Sequence, residues 1–254
     1  MNGRRHSVSL AVALAALLAA GSPAARAGAQ ALTSGEQVVR AMHDRYQDRW
    51  YRTLTFTQKT TRRTPADTMV VETWYESAAV PGRLRIDVAP RGGTSYIFAN
   101  DSIFVTRGDS VLRRAAGRNP LLILGFDVYG QSAERTIEVL KAEGFSLDPV
   151  HEDVWRGRRV YVVGAAAGDR RSKQFWVDRE RLLFVRLLEP SRADSTKMVD
   201  TRFDDYKPLG GGWIAPLVES YLDGKLVQRE EYRDIRADPP LPASLFTTGT
   251  PAPR

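Results

Sequence analysis

The densest run of groups able to hold a metal or move a proton is His151-Glu152-Asp153. A metallohydrolase helix needs a second histidine four residues on, so that both imidazoles share one face. That position is Trp155, and the other histidines, His6 and His43, stand alone. Paired acids occur at Asp204-Asp205 and Glu230-Glu231. Neighbours on a strand point to opposite faces and cannot converge on one substrate bond. Gly210-Gly211-Gly212 precedes Trp213 rather than a helix, which predicts a tight turn and not a phosphate cradle. Nucleophile-elbow, Ser-x-x-Lys and P-loop patterns do not occur, and Asn100-Asp101-Ser102 fits a glycosylation sequon. The expectation is a protein that is not an enzyme, with no catalytic residue, metal or cofactor. Hydrolysis around His151 and Glu152 is the marginal alternative.

What the chain has in surplus is apolar strand. In KQFWVDRERLLFVRLLEP (173–190) two apolar runs flank the charged tip Asp178-Arg179-Glu180-Arg181. Aromatic and β-branched enrichment at this spacing predicts a β-hairpin. A sheet with one wet face alternates apolar and polar residues, yet here both alternating sets are apolar. The second face must therefore be covered, by a helix of the chain or by an apolar ligand. Further surplus lies in LLILGF (121–126), Tyr96-Ile97-Phe98 and Ile103-Phe104-Val105. A large core and a binding cavity would draw on the same residue types.

These residues need a scaffold, and the periodicity supplies one. Ser34-Gly35-Glu36-Gln37 is a capping box opening a helix with the stripe Val39, Met42, Tyr46 and Trp50. From Tyr51 the period falls to two, through LTFTQKTTR, MVVETWYES and GRLRIDVAP. In the last of these Leu84, Ile86 and Val88 point inward, and Arg83, Arg85 and Asp87 outward. TSYIFAN, IFVTRGD and VLRR continue at hairpin spacing. Arg118-Asn119-Pro120 ends the meander, and SAERTIEVLKAEG (132–144) is a capped helix. About six more strands follow from 145 to 236, then a proline-rich stretch, Ser244-Leu245-Phe246, and a tail, 247–254, expected to be disordered. Regular strand spacing predicts one antiparallel sheet with helices on one side.

The first residues are expected to leave the fold. Arg4-Arg5-His6, the short apolar run 10–20 and Ala25-Arg26-Ala27 have the form of a secretory signal peptide, 1–27. Among 254 residues there is no cysteine, hence no disulfide framework, thiol nucleophile or lipid-bearing cysteine. The net charge of +7 includes Arg4, Arg5 and Arg26, and without them 34 basic residues face 30 acidic ones. Interspersed charges of this balance argue against nucleic acid as a partner. No later stretch reaches the roughly 18 apolar residues of a membrane span.

Taken in order, the leader, the amphipathic helix, Phe56-x-Gln58, Gly82-x-Leu84-Arg85-Ile86, Asn119-Pro120-Leu121-Leu122, Phe175-Trp176-Val177-Asp178, Gly212-Trp213-x-Ala215-Pro216 and Leu241-Pro242-x-Ser244-x-Phe246 resemble the LolA/LolB-like periplasmic lipoprotein carriers. The resemblance spans about residues 34–246 and rests on element order and short motifs. It implies a mainly β, α+β fold: a curved antiparallel half-barrel of about eleven strands over a few helices. It also implies an apolar cavity for acyl chains beneath a mobile helical lid, 119–130. The expected lining is Phe56, Leu84, Ile86, Val88, Tyr96, Phe98, Leu121, Leu122, Leu124, Phe126, Phe175 and Phe184, with Pro120 and Gly125 as the lid hinge. The basic residues that some carriers place near the mouth have no clear counterpart here. The expected protein is a monomeric periplasmic carrier of lipid or lipoprotein acyl chains. The alternative is an envelope sensor or structural module that binds a protein partner, its interior filled by its own helices.

Overall fold

The first helix forms where its capping box lies. Ser34 Oγ accepts from the Gln37 N–H (3.2 Å) and Gln37 Oε1 accepts from the Ser34 N–H (3.3 Å), opening Gly35–Tyr46. Val38, Val39, Met42 and Tyr46 are its buried face. The computed structural model describes residues 31–90 and 92–249. The expected leader, 1–27, and residues 250–254 of the expected tail lie outside the described residues, and residues 32–249 pack as one unit.

Six strands follow: β1 (Thr53–Arg63), β2 (Met69–Ala79), β3 (Arg83–Val88), β4 (Thr94–Ala99), β5 (Ser102–Arg107) and β6 (Ser110–Ala116). The helical interruption runs through Pro120–Leu122, a π-helical turn Ile123–Asp127, Val128–Gly130 and the capped helix Ala133–Ala142. Nine strands complete the chain: β7 (Val150–Trp155), β8 (Arg158–Val163), β9 (Gln174–Asp178), β10 (Phe184–Pro190), β11 (Met198–Asp204), β12 (Lys207–Leu209), β13 (Gly212–Ile214), β14 (Leu217–Leu222) and β15 (Lys225–Ala237). Thirteen of them form one antiparallel sheet, β6-β5-β4-β3-β2-β1-β15-β14-β11-β10-β9-β8-β7, and β12–β13 is a separate ribbon. The first and second halves of the chain meet at the β1–β15 seam.

The sheet is open, curved and mainly β, as expected, with more strands than the eleven anticipated. Asp205, at φ +58°, ends β11, and β12 pairs with β13 outside the sheet. Asp148-Pro149 delays β7 to Val150, while Phe145 and Leu147 stay buried in the preceding loop. The sequon lies in a two-residue hairpin turn between β4 and β5, where Asn100 and Asp101 both take positive φ, 50° and 58°. That is the geometry a primed turn demands.

The 173–190 hairpin has a longer tip than its four charges suggest. Asp178 Oδ1 accepts from the Glu180 (3.0 Å) and Arg181 (2.7 Å) N–H groups, and Leu182 turns at φ +55°. Phe175, Val177, Phe184 and Leu187 pack on the helices in the main core. Trp176, Val185 and Leu188 face the other way, with Val160, Val162 and Met198. No helix among the described residues covers that second face; arginines lie over it. Arg186 lies 4.3 Å and Arg170 4.8 Å from the Trp176 ring, and Arg156 lies 5.0 Å from Trp155. Their flat guanidinium groups shield the rings and keep their outer edges in water. Burial pushes the Asp200 carboxyl up, but bonds from Arg186 (2.7 and 2.8 Å) and Arg202 (2.6 and 3.0 Å) outweigh it and hold it below its usual range.

One expectation is overturned on the same convex side. Arg85 and Asp87, expected to point outward into water, are buried, each 3% exposed. The C-terminal segment covers them: Leu245 and Phe246 pack on Ala79, Ile97 and Ala99. Alternation along β3 reads correctly, but it cannot reveal that a distant segment lands on the polar face.

Candidate functional site

The helical segment 119–130 crosses the concave face of β1–β3 and β11. Asn119 Oδ1 accepts from the Leu121 N–H (3.0 Å), and Pro120 occupies the first helical position, where no N–H is needed. The π turn that follows adds a residue to the helical turn. Leu124, Val128 and Tyr129 are fully buried, whereas Leu121 and Phe126 keep one side open. The lack of a side chain at Gly125 serves packing: a Cβ there would lie 3.2 Å from the Phe203 ring.

Between this segment and the sheet lies an apolar cavity of about 80 Å³. Six expected lining residues meet there: Phe56, Leu84, Ile86, Leu121, Leu122 and Phe126. Val88 and Tyr96 continue the same concave surface in register, Val88 opposite Trp74 and Tyr96 opposite Ile86, and both are half-buried. Phe98 borders a second, larger cleft of about 470 Å³ at the rim, together with Gly82, Arg118 and Asp127. Leu124, Phe175 and Phe184 sit in the closed core instead, all 0% exposed, with Phe184 edge-on to Phe203 (5.0 Å) and Phe175 edge-on to Phe145 (5.8 Å). Asn119 and Leu122 border both spaces, so the start of the helical segment partitions them.

The cavity also holds groups that periodicity does not single out. Glu76 of β2 and Glu230 of β15 both line it, and Trp74 and Tyr232 stand beside them. Burial pushes the Glu76 carboxyl well up, and the nearby Glu230 carboxyl pushes it further. Burial also raises Glu230, although Gln228 Nε2 (2.5 Å) and the Tyr232 hydroxyl (3.0 Å) donate to it. Glu76 is 8% exposed, and its carboxyl has no hydrogen bond among the described residues. Gln58, between Trp74 and Tyr232 in register, donates to Thr60 (2.7 Å) but its buried Oε1 is unpaired. The signal in the sequence is an acidic residue on the strand face that also carries Val70, Trp74 and Ala78, as Glu76 is in β2.

A third raised acid secures the helical segment. Asp127 closes the π turn, 3% exposed, and accepts from the Gly82 N–H (2.9 Å) in the β2–β3 turn. Burial pushes its carboxyl up to about 7, against the pull of that N–H and of Arg118.

The cluster His151-Glu152-Asp153 does not assemble. Glu152 pairs with Arg159 and Arg179 (2.9 Å), Asp153 pairs with Arg170 (3.0 Å), and both buried ring nitrogens of His151 lack a partner. No group of three potential ligand residues able to hold a metal ion occurs among the described residues. The glycine triplet packs rather than cradles: Gly212 lies under the Trp50 ring, where a Cβ would come within 2.4 Å.

Comparison by sequence finds no matching family model and no matching curated relative. Comparison of structures finds a LolA superfamily protein from Nitrosomonas europaea, with a TM-score of 0.53 and 14% identity over 85% of this chain and 98% of the other. The fold is LolA-like. A protein described as an outer membrane lipoprotein-sorting domain, from Vibrio parahaemolyticus, has a TM-score of 0.56 and 11% identity over 84% and 95%. A DUF1329 family protein from Desulfovibrio piger has a TM-score of 0.57 and 15% identity over 84% and 95%. The structural matches establish the LolA-like architecture and, at such identities, the fold alone, so function has to be argued from the site. No helix among the described residues is long and apolar enough to cross a membrane.

Proposed function

We propose that this is an exported, periplasmic binding protein or carrier for lipid or lipoprotein acyl chains, acting by apolar burial without covalent chemistry. The observation that carries the reading is the partition at Asn119 and Leu122 between the apolar cavity and the 470 Å³ cleft. Ligand pockets run to about 300–1,000 Å³, so the cavity of about 80 Å³ is too small alone. Movement of the 119–126 segment would join the two spaces, with Pro120 and Gly125 as the proposed hinge. Each buried methylene then contributes about 0.8 kcal/mol. The half-buried concave residues Val88, Tyr96 and Phe98 would extend the track. The form that acts begins near residue 28 and works as a monomer, with lipid or acylated protein as partner.

A fluorescent acyl probe tests this. Saturable, one-to-one fluorescence enhancement is expected. Ile86→Trp, which fills the cavity, should weaken it about tenfold while costing about 1–3 kcal/mol of stability. Probe affinity unchanged by Ile86→Trp would contradict a site at this cavity. The smallness of the cavity favours one second reading, a sensor or structural module that meets an envelope protein with its interior closed; absence of any probe binding would select it.

A further inference from the structure

Resting on the proposed binding role, a finer property of the ligand follows from the polar groups of the cavity. Two carboxyl groups, Glu76 and Glu230, face the same small space, and no Lys, Arg or His among the described residues lines it. The chain as a whole is basic, at +7, so a locally acidic cavity is not a matter of composition. Arg62, further along β1, is engaged by Glu72 (2.6 and 3.1 Å). Buried acids ordinarily have a partner, because an unpaired buried charge is costly. Glu230 has Gln228 and Tyr232; the buried Glu76 has none among the described residues. Gln58 Oε1, on the neighbouring strand and behind the cavity's lining, is a second buried acceptor without a donor. Burial alone favours the neutral form of both carboxyls, and an entering cation carrying N–H donors would stabilise their charged form instead.

The rest of the wall suits a positive group that also carries carbon. Phe56, Trp74, Phe126, Phe203 and Tyr232 supply five aromatic rings, with Phe56 and Tyr232 stacked at 4.1 Å. Aromatic faces attract organic cations, and most strongly where water is excluded. The volume of about 80 Å³ is that of about two or three water-sized groups. It fits an ammonium with its first carbons and excludes a bulky headgroup.

We propose that the cavity takes an ammonium group, with its N–H donors on Glu76, its charge facing the Glu76 and Glu230 carboxylates, and its carbons on the surrounding rings. An ammonium reaches the protein either as the head of an apolar chain or as a small free amine. The protein would hence choose among amphiphiles by their heads as well as by their tails.

Calorimetric titration of the purified exported protein with n-octylammonium, n-octanol and n-octanoate separates this from acyl binding in general. Octylammonium should bind about tenfold tighter than octanol, with octanoate weakest. Glu76→Gln should bring the ammonium-to-alcohol ratio close to one, and Glu230→Gln should reduce it, which keeps a second variant available should the first fail to fold. A parallel titration with n-butylammonium assigns the source: equal binding points to a free amine, and binding only with the longer chain points to an amphiphile. Equal affinity for all three octyl probes overturns the ammonium proposal and leaves the acyl-chain reading standing. Binding of none of them overturns both.

Discussion

Replacing Asp87 by alanine should cost about 3–5 kcal/mol of folding stability, the usual penalty for breaking a buried ion pair from one side. Both oxygens of the Asp87 carboxylate accept from Arg85 Nε (2.9 and 3.0 Å), and a third bond comes from the Ser95 hydroxyl (2.5 Å). The two charged side chains are 4% and 5% exposed. Arg85 also donates to the Leu245 carbonyl (3.2 Å), so the pair fastens the C-terminal segment to the convex face of the sheet. Without Asp87 the guanidinium loses the carboxylate that both of its Nε bonds reach in a dry site. The segment 241–246 should then loosen, exposing Leu245 and Phe246 to protease. Replacing both, as in Arg85→Met with Asp87→Leu, should cost less than Asp87→Ala alone, because the buried guanidinium goes together with the carboxylate that faces it. Urea unfolding measures each variant. A loss below about 1 kcal/mol for Asp87→Ala would mean that water reaches the pair.

Mild acid should stabilise the protein. Asp127 has its carboxyl at about 7 in the folded state against 3.8 when free. Between those values the native chain holds a proton that the unfolded chain has released, so stability falls as pH rises through the window. From roughly pH 5.5 to 8, Asp127 alone accounts for about 2 kcal/mol, at 1.36 kcal/mol per pH interval in which the proton count differs. For a chain of this size that is about 4–8 °C in melting temperature. Glu76 and Glu230 are raised as well and act in the same direction. The carboxylates held low by arginines, Asp200 and Glu72 among them, act oppositely, their stabilisation being lost only as pH falls through and below the ordinary carboxylate range. Maximum stability is therefore expected between about pH 4 and 7. Asp127→Asn keeps an acceptor for the Gly82 N–H and removes the titration, so the melting temperature of that variant at pH 8 should rise towards its value at pH 5.5. A melting temperature that is flat from pH 5.5 to 8, or an Asp127→Asn variant no different from the parent, would contradict the burial of this acid.

Local signals are legible in the sequence where local chemistry decides the outcome. The Ser34–Gln37 capping box, the break at Arg118-Asn119-Pro120 and the six strands before it follow from turn and cap chemistry. The element order also suffices to place the fold, because a half-barrel of this kind repeats one antiparallel rule along its length. What escapes is decided by distant segments. Arg85 and Asp87 read as outward because the covering residues, Leu245 and Phe246, come about 160 positions later. Trp176 and Val185 read as needing a helix or ligand, and arginines from the β7–β8 turn, β8, β10 and the 164–173 loop cover that face instead. Of the twelve expected lining residues, those beneath Leu121–Phe126 meet at the cavity, while Leu124, Phe175 and Phe184 are consumed by the core. Composition cannot divide those sets. Glu76 and Glu230 face one space only because β1 pairs with both β2 and β15, a juxtaposition of strands about 150 positions apart.

The central claim is that acyl chains enter beneath the helical segment. Its most direct test is to isolate the protein gently from its native compartment, extract it with organic solvent and weigh what is released by mass spectrometry. The account predicts a lipid or acylated peptide near one per protein, either as isolated or after lipids are offered in vitro. A clean extract in both conditions would contradict it, and would mean that Leu121, Leu122 and Phe126 close the cavity permanently and that the ligand to seek is a protein.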